Sequence, residues 1–228
     1  MIERLLLHAA QADFTTEFHQ PLNLRGGNFG MTLKRITLWN SWHNISQKYK
    51  NNTFDYYNGQ EYVAMTIPDG NYTVRTLNDY FQIANVDVKI TINEALSSFD
   101  LHVGKEKTFD ISKGKLCEIL GFEPGIYSDT FTGQHKGNIS RGVDIFLVHC
   151  DLISSSRYDD GHSDILHRFT PRARPGSLID INITEPIYIP IMNTSEIRRI
   201  RLWLTDQDYK PVELNNHMVF YEILFRPI

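Results

Sequence analysis

Ile197-Arg198-Arg199-Ile200-Arg201-Leu202-Trp203-Leu204-Thr205 and, after a polar break, Met218-Val219-Phe220-Tyr221-Glu222-Ile223-Leu224-Phe225 decide the fold of this chain. In the first segment Ile200, Leu202 and Leu204 alternate with Arg199, Arg201, Trp203 and Thr205, the period-two signature of a strand with one buried face. Asp206-Gln207-Asp208 ends it, because short Asx side chains bond nearby backbone and favour turns. Extended chain resumes over Pro211–Leu214, and Asn215-Asn216 offers a two-residue hairpin turn before the second segment. There Val219, Tyr221, Ile223 and Phe225 share one face, while Met218, Phe220 and Leu224 share the other. A strand apolar on both faces is not a solvated edge, so it lies inside a sandwich or beneath another subunit. The fold is complete only when these last residues are laid into a sheet.

The same alternation recurs upstream. Met31–Trp39 is extended and rich in Thr, Ile, Leu and Trp, residues that suit a pleated, half-buried surface. Asn58-Gly59 joins Phe54–Tyr57 to a strand in which Val63, Met65 and Ile67 face one way, a tight hairpin. Val86, Val88, Ile90 and Ile92 alternate with polar residues. Phe99, Leu101 and Val103, then Phe109 and Ile111 across Gly104, predict a second hairpin. Asp144–Ile153 is a nearly continuous apolar strand; Ile165–Phe169, Leu178–Ile183 and Ile187–Ile191 follow, bracketed by prolines that suit sandwich edges and corners. Two short helices are predicted. One has Val74, Leu77, Phe81 and Ala84 at helical spacing, with a capping box at Thr76 and Asp79. The other runs over Lys115–Leu120 and is stopped by Gly121. Glu123–Val143 reads as a long polar loop.

With no βαβ alternation and no repeat, the sum predicts an all-β fold: a single antiparallel jelly-roll β-sandwich with one or two short helices in its connections. Residues 1–30 are predicted as an N-terminal arm or edge strand and residues 31–228 as one jelly-roll domain. Val63, Met65, Ile67, Val86, Val88, Ile90, Ile92, Leu202 and Leu204 should face the core.

The totals frame what such a sandwich can do. The 228 residues carry a net charge of -4 and are 41% hydrophobic, so no global basic field points to specific nucleic-acid binding. Cys117 and Cys150 fit neither a disulfide framework nor a zinc site, which suits a reducing compartment. The apolar run at Leu5-Leu6-Leu7 is short for a signal peptide, and no stretch predicts membrane insertion.

Several clusters invite a chemical reading. Asp159, Asp160, His162 and Asp164 offer oxygen and imidazole groups around Gly161, the weak candidates for a metal or a general base, but their spacing matches no metal signature. His149-Cys150 places a thiol and an imidazole side by side, yet neighbours on a strand point to opposite faces and cannot share a proton. Asp206 and Asp208 sit in a turn, which favours backbone capping over acid–base work. Arg172, Arg174, Arg198, Arg199 and Arg201, near Trp203 and Tyr188, suit bases or phosphates, or else interface salt bridges and a solvated face, the reading favoured by charge runs in general. The expectation is no catalytic residue, no metal and no cofactor.

Five stretches in a fixed order resemble the minor capsid, or penton, proteins of Polinton (Maverick) elements, virophages and adintoviruses. They are Thr37-Leu38-Trp39-Asn40-Ser41-Trp42-His43-Asn44-Ile45, Ile67-Pro68-Asp69-Gly70-Asn71-Tyr72 with Leu77-Asn78, Leu120-Gly121-Phe122, Cys150-Asp151-Leu152-Ile153, and Leu202-Trp203-Leu204-Thr205-Asp206-Gln207-Asp208. Tyr209 departs from the pattern, where a glycine is expected after the turn. The resemblance implies a structural protein of the virion: a homopentamer at the vertices of an icosahedral particle, made in the host cell, beside a major capsid protein of double jelly-roll type, with a vertex fibre or receptor as a further partner. Surplus apolar strand surface independently suggests a subunit interface, assigned to Arg199, Arg201, Trp203, Val219, Tyr221, Ile223 and Phe225. Three alternatives stay open: a carbohydrate-binding jelly-roll using Trp39, Trp42 or Trp203, a cytokine-like trimeric sandwich, and a domesticated host protein derived from such an element.

Overall fold

The computed structural model describes residues 3–24, 28–139, 143–153, 156–158, 161–191 and 196–228, with backbone alone for 156–158 and 161–163. In chain order the elements begin with β1 (Glu3–Ala9), β2 (Asp13–Leu22) and β3 (Phe29–Trp39). Next come β4 (Thr53–Tyr57), β5 (Tyr62–Thr66), α1 (Val74–Ile83), β6 (Val88–Asn93), β7 (Ser98–Val103), β8 (Thr108–Asp110), α2 (Leu116–Leu120), β9 (Ile126–Tyr127) and β10 (Phe131–Thr132). The chain continues through β11 (Phe146–Cys150), β12 (Ser156–Tyr158), β13 (Gly161–Ser163), β14 (Ile165–Phe169) and β15 (Leu178–Asn182). It ends with β16 (Ile189–Pro190), β17 (Ile197–Thr205) and β18 (Val219–Pro227).

These elements fall into two compact units, residues 1–42 with 143–228, and residues 43–142. The single domain expected over 31–228 therefore differs from what is observed: a second unit is inserted between β3 and β11.

The first unit is built of two large antiparallel sheets, ordered β1-β18-β3-β15 (with β16 also on β3) and β14-β11-β17-β2, and a separate β12-β13 hairpin. Taken along the chain, the first of its eight main strands pairs with the last, β1 with β18. The second pairs with the second-last, β2 with β17. The third pairs with the third-last, β3 with β15, and the middle two, β11 and β14, pair with each other. A chain folded as one long hairpin and then rolled gives this nesting, and it is the jelly-roll that the alternating strands predict. Residues 1–30 supply two of its strands, β1 and β2, each at the edge of a sheet. The apolar positions of both sheets turn inward: Met31, Leu33, Ile36, Leu38, Phe146, Val148, Cys150, Ile200, Leu202, Leu204, Tyr221, Ile223 and Phe225 make one core. Strand β18 lies between β1 and β3, the interior position that its apolarity demands.

The link from β17 to β18 corrects one expectation. Asn215 and Asn216 do take positive φ, at 48° and 62°, as Asn tolerates. However, β17 and β18 belong to different sheets, so this turn carries the chain across the sandwich instead of closing a hairpin.

The second unit has its own core around Phe54, Ile67, Leu77, Phe81, Ile90, Leu101, Phe109 and Leu120. Its sheets run β5-β4-β8-β9 and β10-β7-β6. The Asn58-Gly59 hairpin forms with Gly59 at φ 98°, and the Asn58 side chain accepts from the Gln60 and Glu61 amides. Helix α1 is capped one turn earlier than the sequence suggests: Thr73 accepts from the Thr76 amide while the Thr76 hydroxyl accepts from the Thr73 amide. Helix α2 ends at Gly121 in the left-handed conformation, as expected. The hairpin expected across Gly104 does not form, because β7 pairs with β6 and β10 while β8 pairs with β4 and β9. Ile92, expected in the core, is exposed, one residue before the end of β6, where the buried positions Val88 and Ile90 have no successor. Part of the loop expected over 123–143 forms the short strands β9 and β10.

Candidate functional site

The seven residues assigned to an interface divide cleanly. Val219, Tyr221, Ile223 and Phe225 are fully buried between the two sheets of the jelly-roll, so they hold the fold together and present nothing to a partner. The sequence separated the two faces of β18 correctly but could not say which face the second sheet would cover. Arg199 and Arg201 are exposed and Trp203 is half-buried on the outer face of the other sheet.

Two of those three are engaged within the chain. Arg201 grips Asp13 with two bonds, 2.9 Å and 2.7 Å, and its guanidinium lies 4.8 Å from the Trp203 ring. That hydrogen-bonded pairing holds the Asp13 carboxyl below its usual range. Trp203 stacks in turn on His149, with ring centroids 5.0 Å apart and planes within 5°.

His149 is the most developed polar centre in the jelly-roll. Its Nδ1 lies 2.7 Å from Asp164 Oδ1 and its Nε2 lies 2.9 Å from Thr205 Oγ1. A carboxylate, an imidazole and a hydroxyl in line is the order found in hydrolytic relays. Here His149 and Thr205 are both buried, which leaves no room for a substrate beside the hydroxyl. The relay instead ties β11, the start of β14 and the end of β17 together through satisfied polar groups. Cys150, on the opposite face of β11, is buried against Met31, and loss of solvation pushes its thiol up to about 12, far from the thiolate a nucleophile needs.

Of the proposed metal cluster, Asp159 and Asp160 lie outside the described residues, and the His162 side chain is likewise undescribed. Asp164 is committed to His149. Among the described residues no group of three or more His, Cys, Asp or Glu side chains could hold a metal. Asp206 acts as a turn cap: its Oδ1 accepts from the Asp208 and Lys210 amides, both at 2.9 Å. Tyr209, which stands where the resemblance leads one to expect glycine, has φ 60°, so this turn does demand the left-handed conformation that glycine adopts without strain.

The three tryptophans are equally informative. Trp42 is buried, edge-on to Phe146 at 5.0 Å, and Trp203 is covered by His149 and Arg201. Of the three, Trp39 alone presents its indole on an exposed sheet face, beside His217. Among the described residues no helix is long and apolar enough to cross a membrane.

No family model and no curated protein matches the chain. Solved structures do. A chain of the Sputnik virophage structure determined by cryo-EM aligns over 98% of this chain and 97% of its own length, with 10% identity and a TM-score of 0.46. The crystal structure of the mavirus penton protein aligns over 100% of both chains, with 10% identity and a TM-score of 0.52. The nested strand order and this end-to-end alignment converge: the chain has the fold of the mavirus penton protein.

Proposed function

We propose that this chain is a structural capsid protein, the homopentameric vertex capsomer of a Polinton- or virophage-like icosahedral particle. The observation that carries the reading is the full-length likeness to a penton protein, which takes in the jelly-roll and the unit inserted between β3 and β11 alike. The local chemistry agrees. The imidazole and hydroxyl of the His149 relay are buried, Asp206 and Asp208 serve a turn, and the Arg201 guanidinium is engaged by Asp13 and Trp203.

In this role the jelly-roll supplies a rigid wall, identical copies close a five-membered ring, and a double jelly-roll major capsid protein surrounds it. A heterologous contact repeated around a closed ring leaves no copy with an open surface, which is how a vertex terminates assembly. Virions, assembled in the host cell, are then the location of the protein. Negative-stain electron microscopy of the purified protein tests the reading, with five-fold class averages expected. Uniform monomers, or two-fold or three-fold particles, contradict it.

A further inference from the structure

We infer that the outer face of the β1-β18-β3-β15 sheet, centred on Phe220, Trp39 and Leu178, is the surface that takes a second copy of this chain. The inference rests on the capsomer reading for the identity of that occupant and assigns its contact to residues of the sheet face.

Pairing places the exposed apolar side chains together. Trp39 and Leu178 sit directly opposite each other on β3 and β15. Phe220 is opposite Thr37, one step diagonally from Trp39, and opposite His8, whose ring lies 5.9 Å from its own. Leu6, two residues before His8, extends the stripe along β1. These side chains keep 62% (Leu6), 40% (Trp39), 49% (Leu178) and 50% (Phe220) of their surface exposed. That sums to roughly 400 Å² of exposed surface, most of it apolar, within the range of the largest patch on an ordinary monomer, a patch that is often functional. A standard interface buries about 800 Å² on each partner, a little over half of it apolar. The stripe therefore supplies most of the apolar area that one side of a stable contact between copies needs.

The charges on the same face are nearly balanced. Arg35 and Asp180 form a bidentate pair at 2.7 Å and 2.5 Å, with Thr37 also donating to Asp180 at 2.9 Å. Arg4 pairs with Glu222 at 2.8 Å. These four charges cancel, and Arg226, further along the outer face of β18, lies with its guanidinium 3.8 Å from the Tyr188 ring, so the charge left over is a single cation at one end of the stripe. Self-paired charges flanking an apolar stripe make a surface that can be covered with little electrostatic cost.

The test uses the full-length chain and two separate substitutions, Phe220→Arg and Leu178→Lys, each at a half-exposed position. Near-UV circular dichroism and thermal melting verify the fold, and Phe220→Leu serves as the conservative variant. Light scattering after size exclusion at several concentrations is expected to show a ring for wild type and Phe220→Leu, and loss of the ring in both charged variants with native spectra. If wild type forms pentamers and both charged variants do too, this face is not the contact and the inference falls while the capsomer reading stands. If wild type forms a smaller oligomer that the charged variants abolish, the surface stands and the pentamer falls. A wild type that stays monomeric overturns both, as does wild type that remains monomeric and floats with neutral phospholipid vesicles, which would assign the face to a lipid surface.

Discussion

Replacing Tyr221 with Phe should stabilise the jelly-roll. Tyr221 lies at the centre of β18, 1% exposed, with its ring 5.6 Å from Phe14. Its hydroxyl is one of two buried side-chain oxygens among the described residues with no hydrogen-bond partner, the other being Ser98 Oγ. A hydroxyl buried without a partner costs about 1–3 kcal/mol by mutational data. Phe keeps the ring and leaves only an oxygen-sized gap, so a gain of about 1 kcal/mol is expected, raising the melting temperature by about 2–4 °C for a protein of this size. The effect should depend on pH in a defined direction. Burial moves the ionisation of Tyr221 to higher pH, so above about pH 10 the unfolded tyrosine releases a proton that the native one keeps. Wild-type stability then falls as pH rises, and the advantage of Tyr221→Phe widens. Differential scanning calorimetry at pH 7 and pH 10.5 measures both effects. A loss of 1 kcal/mol or more at pH 7 would refute the reasoning, since it would mean that the hydroxyl has a hydrogen-bond partner in solution.

The remaining expectations follow from the same geometry. Cys150 keeps its proton to about pH 12 in the folded state but releases it near its ordinary value of 9.0 when unfolded, so it draws stability down progressively between those pH values, by up to about 4 kcal/mol; Cys150→Val should flatten that part of a chemical-denaturation profile, and an unchanged slope would contradict the burial. Leu202→Ala, in the core, should cost about 2–5 kcal/mol, whereas Ile92→Ser, on the exposed end of β6, should cost under about 0.5 kcal/mol; equal losses would contradict the assigned facing. Asn78 both donates to the Ile90 carbonyl and accepts from its amide, each at 2.8 Å, so Asn78→Ala should cost about 1–3 kcal/mol and speed amide exchange at Ile90; unchanged exchange would exclude the bond.

What could be read from the sequence was local. Period-two alternation located β5, β6, β17 and β18, and Asn58-Gly59 and Gly121 fixed a hairpin and a helix end because positive φ admits few residue types. Alternation also separated the two faces of β18, but it carries no information about which face meets the other sheet. Val219, Tyr221, Ile223 and Phe225 were therefore placed at an interface when they form the core, and Phe220 was left aside. The insertion was hidden for a similar reason: residues 43–142 use the same short strands and turns as the jelly-roll around them. Only the pairing of distant segments, β3 with β18 and β11 with β17, reveals where one core stops and another begins. The contact of His149 with Asp164 and Thr205 is likewise a product of three strands meeting, and no spacing along the chain announces it.

The mass of the purified protein in solution tests the central claim most directly. Sedimentation equilibrium across a range of concentrations should give a species of about 130 kDa, five copies of a 26.5 kDa chain in a closed ring. A chain that remains at 26.5 kDa throughout, or that stops at a dimer or trimer, would contradict the proposed vertex capsomer.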